Sequence, residues 1–232
     1  MTRANPVIAI DGPVSSGKST AARGLADALG FVYLSTGAMY RAVAVKARTA
    51  GIDPAGTDLE SQLQPMLDSI RIEFDGPRVV LDGKDISREI TEPAIGDLAS
   101  RLSTLGVVRA KMRDLQRAAG SHGGVVMEGR DIGTAVFPDA EFKFFLDADV
   151  KVRAQRRYAE LAAKGVKTTL AEVLDQLKER DERDRGRALA PLRRADDATL
   201  VDATKLDAAQ VVAAMKSRIS AGSNAGKGLK RK

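Results

Sequence analysis

Hydrophobic residues along this chain occur either in short continuous runs or at helical spacing. Continuous apolar runs are typical of strands that are buried on both faces of a parallel sheet. Such runs lie at residues 7–10, 31–34 and 125–127, and largely apolar segments at residues 142–146 and 200–202 are predicted to be strands as well. The segments between them carry apolar residues every three or four positions, as helices do. We therefore predict an α/β fold, a doubly wound parallel sheet of about five strands with helices on both faces.

Residues 63–103 break this alternation. Two short stretches of alternating apolar and polar residues there are joined by a turn at residues 75–77, and such turns connect antiparallel strands. We predict a small inserted subdomain of antiparallel strands and helices. A helix is expected to follow over residues 95–119, with Ser100 and Arg109 off its apolar face.

Residues 151–194 form an arginine-rich helical segment, which we call the lid. Gly165 is expected to end its first helix, and Thr169 and Glu172 form a capping-box pattern that starts the second. We predict one domain over residues 1–220, followed by a flexible basic tail at residues 221–232. The parts of the domain are a core of residues 5–62, 104–150 and 195–220, the insert at about 63–103 and the lid at about 151–194.

Residues 12–19 read Gly-Pro-Val-Ser-Ser-Gly-Lys-Ser and lie between the first apolar run and a helical pattern. This is the spacing of a phosphate-binding loop in its strand-to-helix setting. The glycines let successive N–H groups turn around a phosphate, and a helix that begins near Ser16 adds the positive end of its dipole. We predict that Lys18 reaches the β- and γ-phosphates and that Ser19 binds Mg²⁺. The expected nucleotide-binding residues are Gly12, Pro13, Val14, Ser15, Ser16, Gly17, Lys18, Ser19 and Thr20.

Polar residues also follow two other predicted strands. Residues 35–41 read Ser-Thr-Gly-Ala-Met-Tyr-Arg, and residues 128–131 read Glu-Gly-Arg-Asp. Ligands of parallel sheets collect at the carboxyl ends of the strands, so these segments are candidates for a second site beside the phosphate loop. The alternative is that Arg130 and Asp131 form a purely structural ion pair.

Arginines of the lid share helix faces. Arg153, Arg156 and Arg157 are spaced i, i+3, i+4, while Arg180, Asp184 and Arg187 are spaced i, i+4, i+7. A solvated, salt-bridged surface is the plain interpretation of such a stripe. We favour a catalytic interpretation, because the phosphate loop has a single lysine with which to neutralise a polyphosphate. Arginines on a movable helical hairpin would supply the missing charge.

Composition excludes several classes of function. The chain has no cysteine and a single histidine, His122, which we interpret as a loop residue, so it has no disulfide, no His/Cys zinc site and no Ser-His nucleophile. Four of the 37 basic residues lie in the tail (Lys227, Lys230, Arg231 and Lys232), and the other 33 nearly balance the 31 acidic residues. The net charge of +6 is therefore a local feature and not a footprint for nucleic acid, and binding of anions or RNA by the tail at residues 227–232 is kept as a minor alternative. We expect a monomeric cytoplasmic protein with no membrane segment and no required nucleic-acid partner.

Phosphoryl transfer depends on positioning and on charge neutralisation more than on covalent help. The sequence offers no plausible histidine base. An acceptor that is itself a phosphate already carries a nucleophilic oxygen and needs no base. We therefore predict a nucleoside monophosphate as the acceptor.

Four motifs together resemble the bacterial cytidylate kinases. They are Gly-Pro-x-x-Ser-Gly-Lys-Ser, Ser-Thr-Gly-Ala-Met-Tyr-Arg, Glu-Gly-Arg-Asp-Ile-Gly-Thr-x-Val-Phe-Pro-Asp-Ala and Lys-Glu-Arg-Asp-x-Arg-Asp-x-x-Arg, and the match covers about residues 5–218. The resemblance implies ATP- and Mg²⁺-dependent phosphorylation of CMP and dCMP, with the insert binding the monophosphate. One departure is Glu128, where relatives commonly have Asp.

The resemblance also implies roles for individual residues. It places the CMP phosphate near Thr36, Tyr40, Arg41 and Arg130, the cytosine near Ser100, Arg109, Asp131 and Arg187, and the ribose near Arg180 and Asp184. Catalytic charge would come from Lys18, Arg130, Arg153, Arg157 and Arg180.

Two other functions share the phosphate loop. A GTPase switch would use the guanine-reading pattern Asn-Lys-x-Asp, and residues 204–207 read Thr-Lys-Leu-Asp without the asparagine. The Asp-x-x-Gly at residues 27–30 lies inside the first predicted helix, where no switch can form. The other alternative is a kinase of the same fold that acts on AMP, UMP or a non-nucleotide such as shikimate.

Overall fold

The computed structural model describes residues 3–228, with side chains described up to Gly222. This part of the chain contains eight strands and eight helices. In chain order they are β1 (Val7–Asp11), α1 (Lys18–Leu29), β2 (Val32–Ser35), α2 (Thr36–Thr49), α3 (Leu59–Asp68), β3 (Ile72–Asp75), β4 (Arg78–Leu81), β5 (Lys84–Asp85), α4 (Pro93–Leu102), α5 (Gly106–Gly120), β6 (Val125–Gly129), β7 (Phe142–Asp147), α6 (Val150–Ala163), α7 (Leu170–Gly186), β8 (Thr199–Asp202) and α8 (Ala208–Gly228). A short 3₁₀ turn at Glu89–Thr91 and a single π-helical turn at Ile132–Val136 complete the set.

The chain divides into two compact units. The first contains the described residues up to Tyr33 and from His122 onward, and the second is Leu34–Ser121. The main sheet has the strand order β2-β6-β1-β7-β8, and β1 pairs in parallel with both β6 and β7. The predicted class is confirmed: a five-stranded parallel sheet with helices, and a small antiparallel sheet besides.

Strand register places the carboxyl ends of β1 and β6 side by side. Asp11, the last residue of β1, is the partner of Gly129, the last residue of β6. The loop that follows β1 and the segment that follows β6 therefore leave the sheet at the same edge.

The core of the first unit surrounds β1. Ile8, Ile10, Leu25, Phe144 and Met215 are almost fully buried and belong to one cluster. Burial of each such side chain contributes about 1.5–3 kcal/mol. Helices α1 and α8 pack against each other within this cluster. Every residue of β1 is buried.

The second unit holds the predicted antiparallel insert, in the order β3-β4-β5. Its extent differs from the prediction of residues 63–103, because α2 packs against α4 and α3 packs against α5. Those contacts extend the compact unit to Leu34–Ser121. The predicted helix of residues 95–119 is two helices, α4 and α5, separated at residues 103–105.

Two further predictions need correction. Helix α7 ends at Gly186, so Arg187 is not on the same helix as Arg180 and Asp184; its backbone is extended, at φ −60° and ψ 133°. The tail predicted at residues 221–232 is not a separate segment from its first residue, since residues 221–228 continue α8. Residues 229–232 lie outside the described residues. Within residues 3–228, no helix has the length and apolar character that a bilayer span requires.

Candidate functional site

The phosphate loop, residues 12–19, is a tight connection between β1 and α1. A Cβ on Gly12 would lie 2.0 Å from the Leu146 carbonyl oxygen, so no other residue fits there. Ser15 and Gly17 both have positive φ, 58° and 94°. Gly17 caps α1, which begins at Lys18 and not near Ser16 as predicted. The sharp turn therefore depends on both glycines.

Lys18 folds back over this loop. Its Nζ donates to the Pro13 carbonyl oxygen at 2.6 Å and lies 3.4 Å from Ser16 Oγ. Burial first, and then the positive charge of Arg130, lower the pKa of Lys18 to about 7 against the opposing effect of nearby carboxylates. An anion entering the loop would restore the charge of the amine, because an opposite charge favours the protonated form.

Ser19 and Glu128 are hydrogen-bonded across the sheet edge. Ser19 Oγ donates to Glu128 Oε1 at 3.1 Å. Among the described residues no three His, Cys, Asp or Glu side chains converge as a metal cage. Mg²⁺ is commonly held by one or two protein oxygens together with waters and substrate phosphates, and a hydroxyl beside a carboxylate fits that requirement.

Asp11 is a buried carboxylate at the same edge. Oδ1 accepts from the Ile132 N–H and Oδ2 from the Gly133 N–H, both at 2.8 Å. Burial raises the pKa of Asp11 to about 7, although both hydrogen bonds act in the opposite direction. The π-helical turn that follows Arg130 and Asp131 is therefore attached to the end of β1.

Arg130 is paired with the lid. Its Nε donates to Asp184 Oδ2 at 2.9 Å, and its Nη1 donates to the Gly129 carbonyl oxygen at 3.2 Å. Burial would raise the pKa of Asp184, but the positive charges of Arg130, Arg187 and Arg180 outweigh it and hold that pKa below its usual range. Asp184 is only 4% exposed. A solvated surface is thus the wrong description of Asp184.

Arg153 is the most deeply enclosed arginine of the lid. It pairs with Asp181 at 2.7 Å between Nη2 and Oδ2, and both side chains are buried. Its Nε donates to the Ala148 carbonyl oxygen and its Nη1 to that of Val14 in the phosphate loop, at 2.9 and 3.2 Å. In this conformation Arg153 joins α6, α7 and the phosphate loop.

The other lid arginines lie nearer the surface. Arg157 pairs with Glu160 on its own helix at 3.1 Å. Arg156 Nη2 donates to the Ala203 carbonyl oxygen at 2.7 Å. Arg187 Nη2 donates to the Ala190 carbonyl oxygen at 3.0 Å, within the segment that follows α7.

The remaining predicted residues belong to the second unit. Thr36, Tyr40 and Arg41 lie in the first turns of α2, which Ser35 caps by accepting from the Ala38 N–H. Thr36 is buried.

Ser100 is buried on α4, although the sequence pattern puts it off the apolar face. Arg109, on α5, donates from Nη1 to the Ser103 carbonyl oxygen at 3.2 Å. The helix break at residues 103–105 is therefore tied to Arg109.

Sequence reasoning missed three residues of this region. Asp11 carried a usable signal, since an acid that ends an apolar strand directly before a phosphate loop needs a partner. Arg156 was noted on the arginine face without a role. Asp181 is a defined position of the fourth motif, but its pairing could not be inferred because its partner Arg153 lies on a different helix.

Comparisons with known proteins agree on one family. The cytidylate kinase family model matches residues 8–221. A cytidylate kinase of Pelotomaculum thermopropionicum is 46% identical over 220 residues, 94% of this chain and 97% of the relative. One of Geobacter sulfurreducens is 47% identical over 215 residues, 91% of each chain.

One solved structure is similar in fold. An uncharacterized protein of Eubacterium ventriosum has a TM-score of 0.52 and 12% identity, over 93% of this chain and 99% of that one. At this identity the likeness supports the fold alone.

Proposed function

Since this chain belongs to the cytidylate kinase family, we propose that it transfers a phosphoryl group from ATP to CMP and to dCMP, with Mg²⁺ as the cofactor of both reactions. The chain is an enzyme of nucleotide metabolism, a phosphotransferase with ATP as donor. The proposal concerns the finer points: the metal, the deoxy substrate and the residues that act on each.

The observation that carries the proposal is the paired edge of β1 and β6. The phosphate loop follows β1, and Arg130 follows β6, whose last residue is in register with Asp11. The charge of Arg130 acts on Lys18 strongly enough to lower its pKa. A phosphate-binding lysine and an arginine with its own carboxylate partner therefore share one strand edge.

On the donor side, residues 12–20 bind the ATP phosphates and Lys18 neutralises them. Mg²⁺, when bound, would supply positive charge that neutralises the donor phosphates. Ser19 and Glu128 would hold it, the hydroxyl as a direct ligand and the carboxylate as its neighbour. Glu128 is one methylene longer than the Asp common in relatives, and its contact with Ser19 Oγ supports this assignment.

On the acceptor side, we assign the CMP phosphate to Thr36, Tyr40, Arg41 and Arg130. The cytosine is assigned to Ser100, Arg109, Asp131 and Arg187, and the ribose to Arg180 and Asp184. The low pKa of Asp184 supports its role, because an ionised carboxylate accepts hydrogen bonds from hydroxyl groups.

The chain positions the reactants and neutralises their charge. The acceptor phosphate already carries its nucleophilic oxygen, so no residue needs to remove a proton. Lys18, Arg130, Arg157 and Arg180 supply positive charge around the transferred group. Arg153 belongs to this set in the proposal, and to act there it must exchange its contacts with Asp181 and Val14 for the substrate.

The test is a panel of monophosphates with ATP and Mg²⁺, measured as ADP formed. We expect CMP and dCMP to exceed UMP and AMP in kcat/KM by at least about tenfold, since an unpaired buried polar group at the base costs about 1–3 kcal/mol. Lys18→Ala is the matched control, with turnover lost and CMP binding retained. A preference for UMP or AMP would instead establish another kinase of this fold, and a preference for GTP as donor would revive the switch interpretation.

We also propose that the enzyme acts as a monomer in the cytoplasm. Light scattering coupled to size exclusion, with and without CMP, tests the oligomeric part. A dimer in either condition would overturn it.

A further inference from the structure

Asp11 satisfies two backbone N–H groups that the π-helical turn cannot satisfy itself. The turn uses the carbonyl oxygens of Asp131 and Ile132 for the N–H groups of Ala135, Val136 and Phe137. The first N–H groups of any helical turn have no partner within the turn. Here the two carboxylate oxygens of Asp11 accept from Ile132 and Gly133, one each, at 2.8 Å.

The contact is enclosed on every side. Asp11 is 4% exposed, and Ile132 and Gly133 are buried. A Cβ on Gly133 would lie 3.1 Å from Lys143 Cδ and 3.4 Å from Asp11 Oδ2. The turn thus has little freedom to move away from the carboxylate or to slide along it.

The contact between Asp11 and the π-helical turn lies next to two segments of the candidate site. Asp11 immediately precedes the phosphate loop, and Ile132 immediately follows Arg130 and Asp131. Since Asp11 is also in register with Gly129, the segment of residues 130–131 is held between a strand pair and a pair of carboxylate hydrogen bonds. A shift of the turn would displace both Arg130 and Asp131.

We propose that Asp11 is a positioning residue for the acceptor nucleotide, fixing the turn so that Arg130 and Asp131 meet CMP in one arrangement. The inference rests on the proposed function, because it takes from there the roles of those two residues. Asp11 itself needs no contact with CMP or ATP.

Among side chains of this size, only aspartate offers two oxygens that can each accept a hydrogen bond from a backbone N–H group. Asparagine has the same shape, but one of its oxygens is replaced by an NH₂ group that donates. In Asp11→Asn one backbone N–H would face another donor inside the protein. The turn would have to shift, although the volume of the core is unchanged.

The experiment compares Asp11→Asn with wild type in binding and in turnover at about pH 8.5, above the raised pKa of Asp11, so that the wild-type carboxyl is ionised. We expect the Kd for CMP to rise at least about tenfold, because a charge-assisted hydrogen bond and its alignment are lost. The Kd for a non-hydrolysable ATP analogue should stay within about twofold. The ratio of kcat/KM for CMP to that for UMP should fall, since Asp131 no longer faces the base correctly. Ile8→Val, a conservative change buried in the same strand, is the control for lost stability. It should change neither the Kd for CMP nor the ratio of kcat/KM for CMP to that for UMP.

Each outcome decides the matter. Wild type that fails to phosphorylate CMP would refute the proposed function, whereas active wild type with unchanged CMP binding in Asp11→Asn would refute only the positioning role. Equal weakening of CMP and of the ATP analogue would also refute it, since the residue would then serve the phosphate loop. If Asp11→Asn does not fold, Gly133→Ala decides. Its Cβ would press against Lys143 Cδ at 3.1 Å, and Lys143 is itself held by Pro138 and Asp197. The added methyl would therefore push the turn away from its present position with the Asp11 carboxylate intact. The same CMP-selective loss supports the inference, and normal CMP binding in Gly133→Ala overturns it.

Discussion

Two buried groups of opposite charge, Lys18 and Asp11, lie at the nucleotide-binding edge, and the pKa of each is shifted in the direction that favours its neutral form. The pKa of Lys18 is lowered to about 7 and that of Asp11 is raised to about 7, in each case mainly by burial. The stability contributed by Asp11 is full below pH 3.8 and is lost as the pH rises to about 7. Near neutral pH the ionised form of each residue thus carries a cost of burial, as expected where a site is shaped for its ligand.

Removal of the Lys18 amine should therefore stabilise the protein in a pH-dependent way. The folded chain binds this proton less tightly than the unfolded chain, so wild-type stability falls relative to Lys18→Met as the pH decreases from about 10.5 to about 7. Each unit of pKa shift corresponds to about 1.4 kcal/mol. Urea unfolding at pH 6, 7, 8 and 9 measures the difference.

The expected advantage of Lys18→Met grows from pH 9 to pH 7 and stays level below that. Turnover should be lost at every pH. A stability difference that does not vary with pH would contradict the assignment of a neutralised amine.

At the scale of elements, the lid shows which features local sequence determines. The capping box at Thr169 and Glu172 is present, and a glycine at positive φ follows the end of α6, as predicted. These depend on residues a few positions apart. The partners of Arg153 and Arg130 lie 28 and 54 positions away, and helical spacing holds no information about them. Arg187 does not share a helix face with Arg180 and Asp184, as was predicted, because α7 ends one residue before it.

The two ion pairs of α6 should differ strongly in their effect on stability. Arg153→Met breaks a pair with both partners buried and leaves Asp181 uncompensated, which costs about 3–5 kcal/mol. Arg157→Met removes the pair with the half-exposed Glu160, which costs at most about 1 kcal/mol. Equilibrium urea unfolding of the two variants side by side gives both values.

A double variant separates the pair from lost packing. Arg153→Met with Asp181→Leu should recover part of the loss, because no charge then remains buried alone. Equal destabilisation by Arg153→Met and Arg157→Met would show that the Arg153 pair does not brace the lid.

At the scale of the whole molecule, the sequence predicted the class of fold but not the limits of the compact units or the full length of the last helix. Buried parallel strands produce apolar runs, and hairpins produce turn residues, so the sheet and the antiparallel insert were predicted. The limits of the second unit were not, because they follow from packing of α2 against α4 and of α3 against α5. The continuation of α8 through residues 221–228 was also missed, since glycine and serine there suggested a linker.

Truncation should locate where α8 stops contributing to the core. Val211, Met215 and Ile219 are buried in the main cluster. Deletion of residues 223–232 keeps all three, so unfolding free energy should change by less than about 1 kcal/mol, with kcat/KM for CMP unchanged within about twofold. Deletion from residue 209 onward removes about 1.5–3 kcal/mol for each of the three, which is comparable to the whole stability of a domain.

Thermal unfolding and CMP turnover of both truncations provide the measurement. The longer deletion should give no cooperative transition. A large loss of activity from the shorter deletion would assign the basic tail a part in the reaction.

The central place of β1 in the sheet has a consequence for biosynthesis. This strand leaves the ribosome first, yet its partners β6 and β7 end at Gly129 and Asp147. At about 5–20 residues per second, roughly 6–25 s pass before β6 is complete. Residues 34–121, a compact unit with its own internal contacts, are translated in that interval. A strand whose residues are all buried in the folded protein thus waits for its partners, and the nucleotide-binding edge is necessarily assembled after translation has passed the insert.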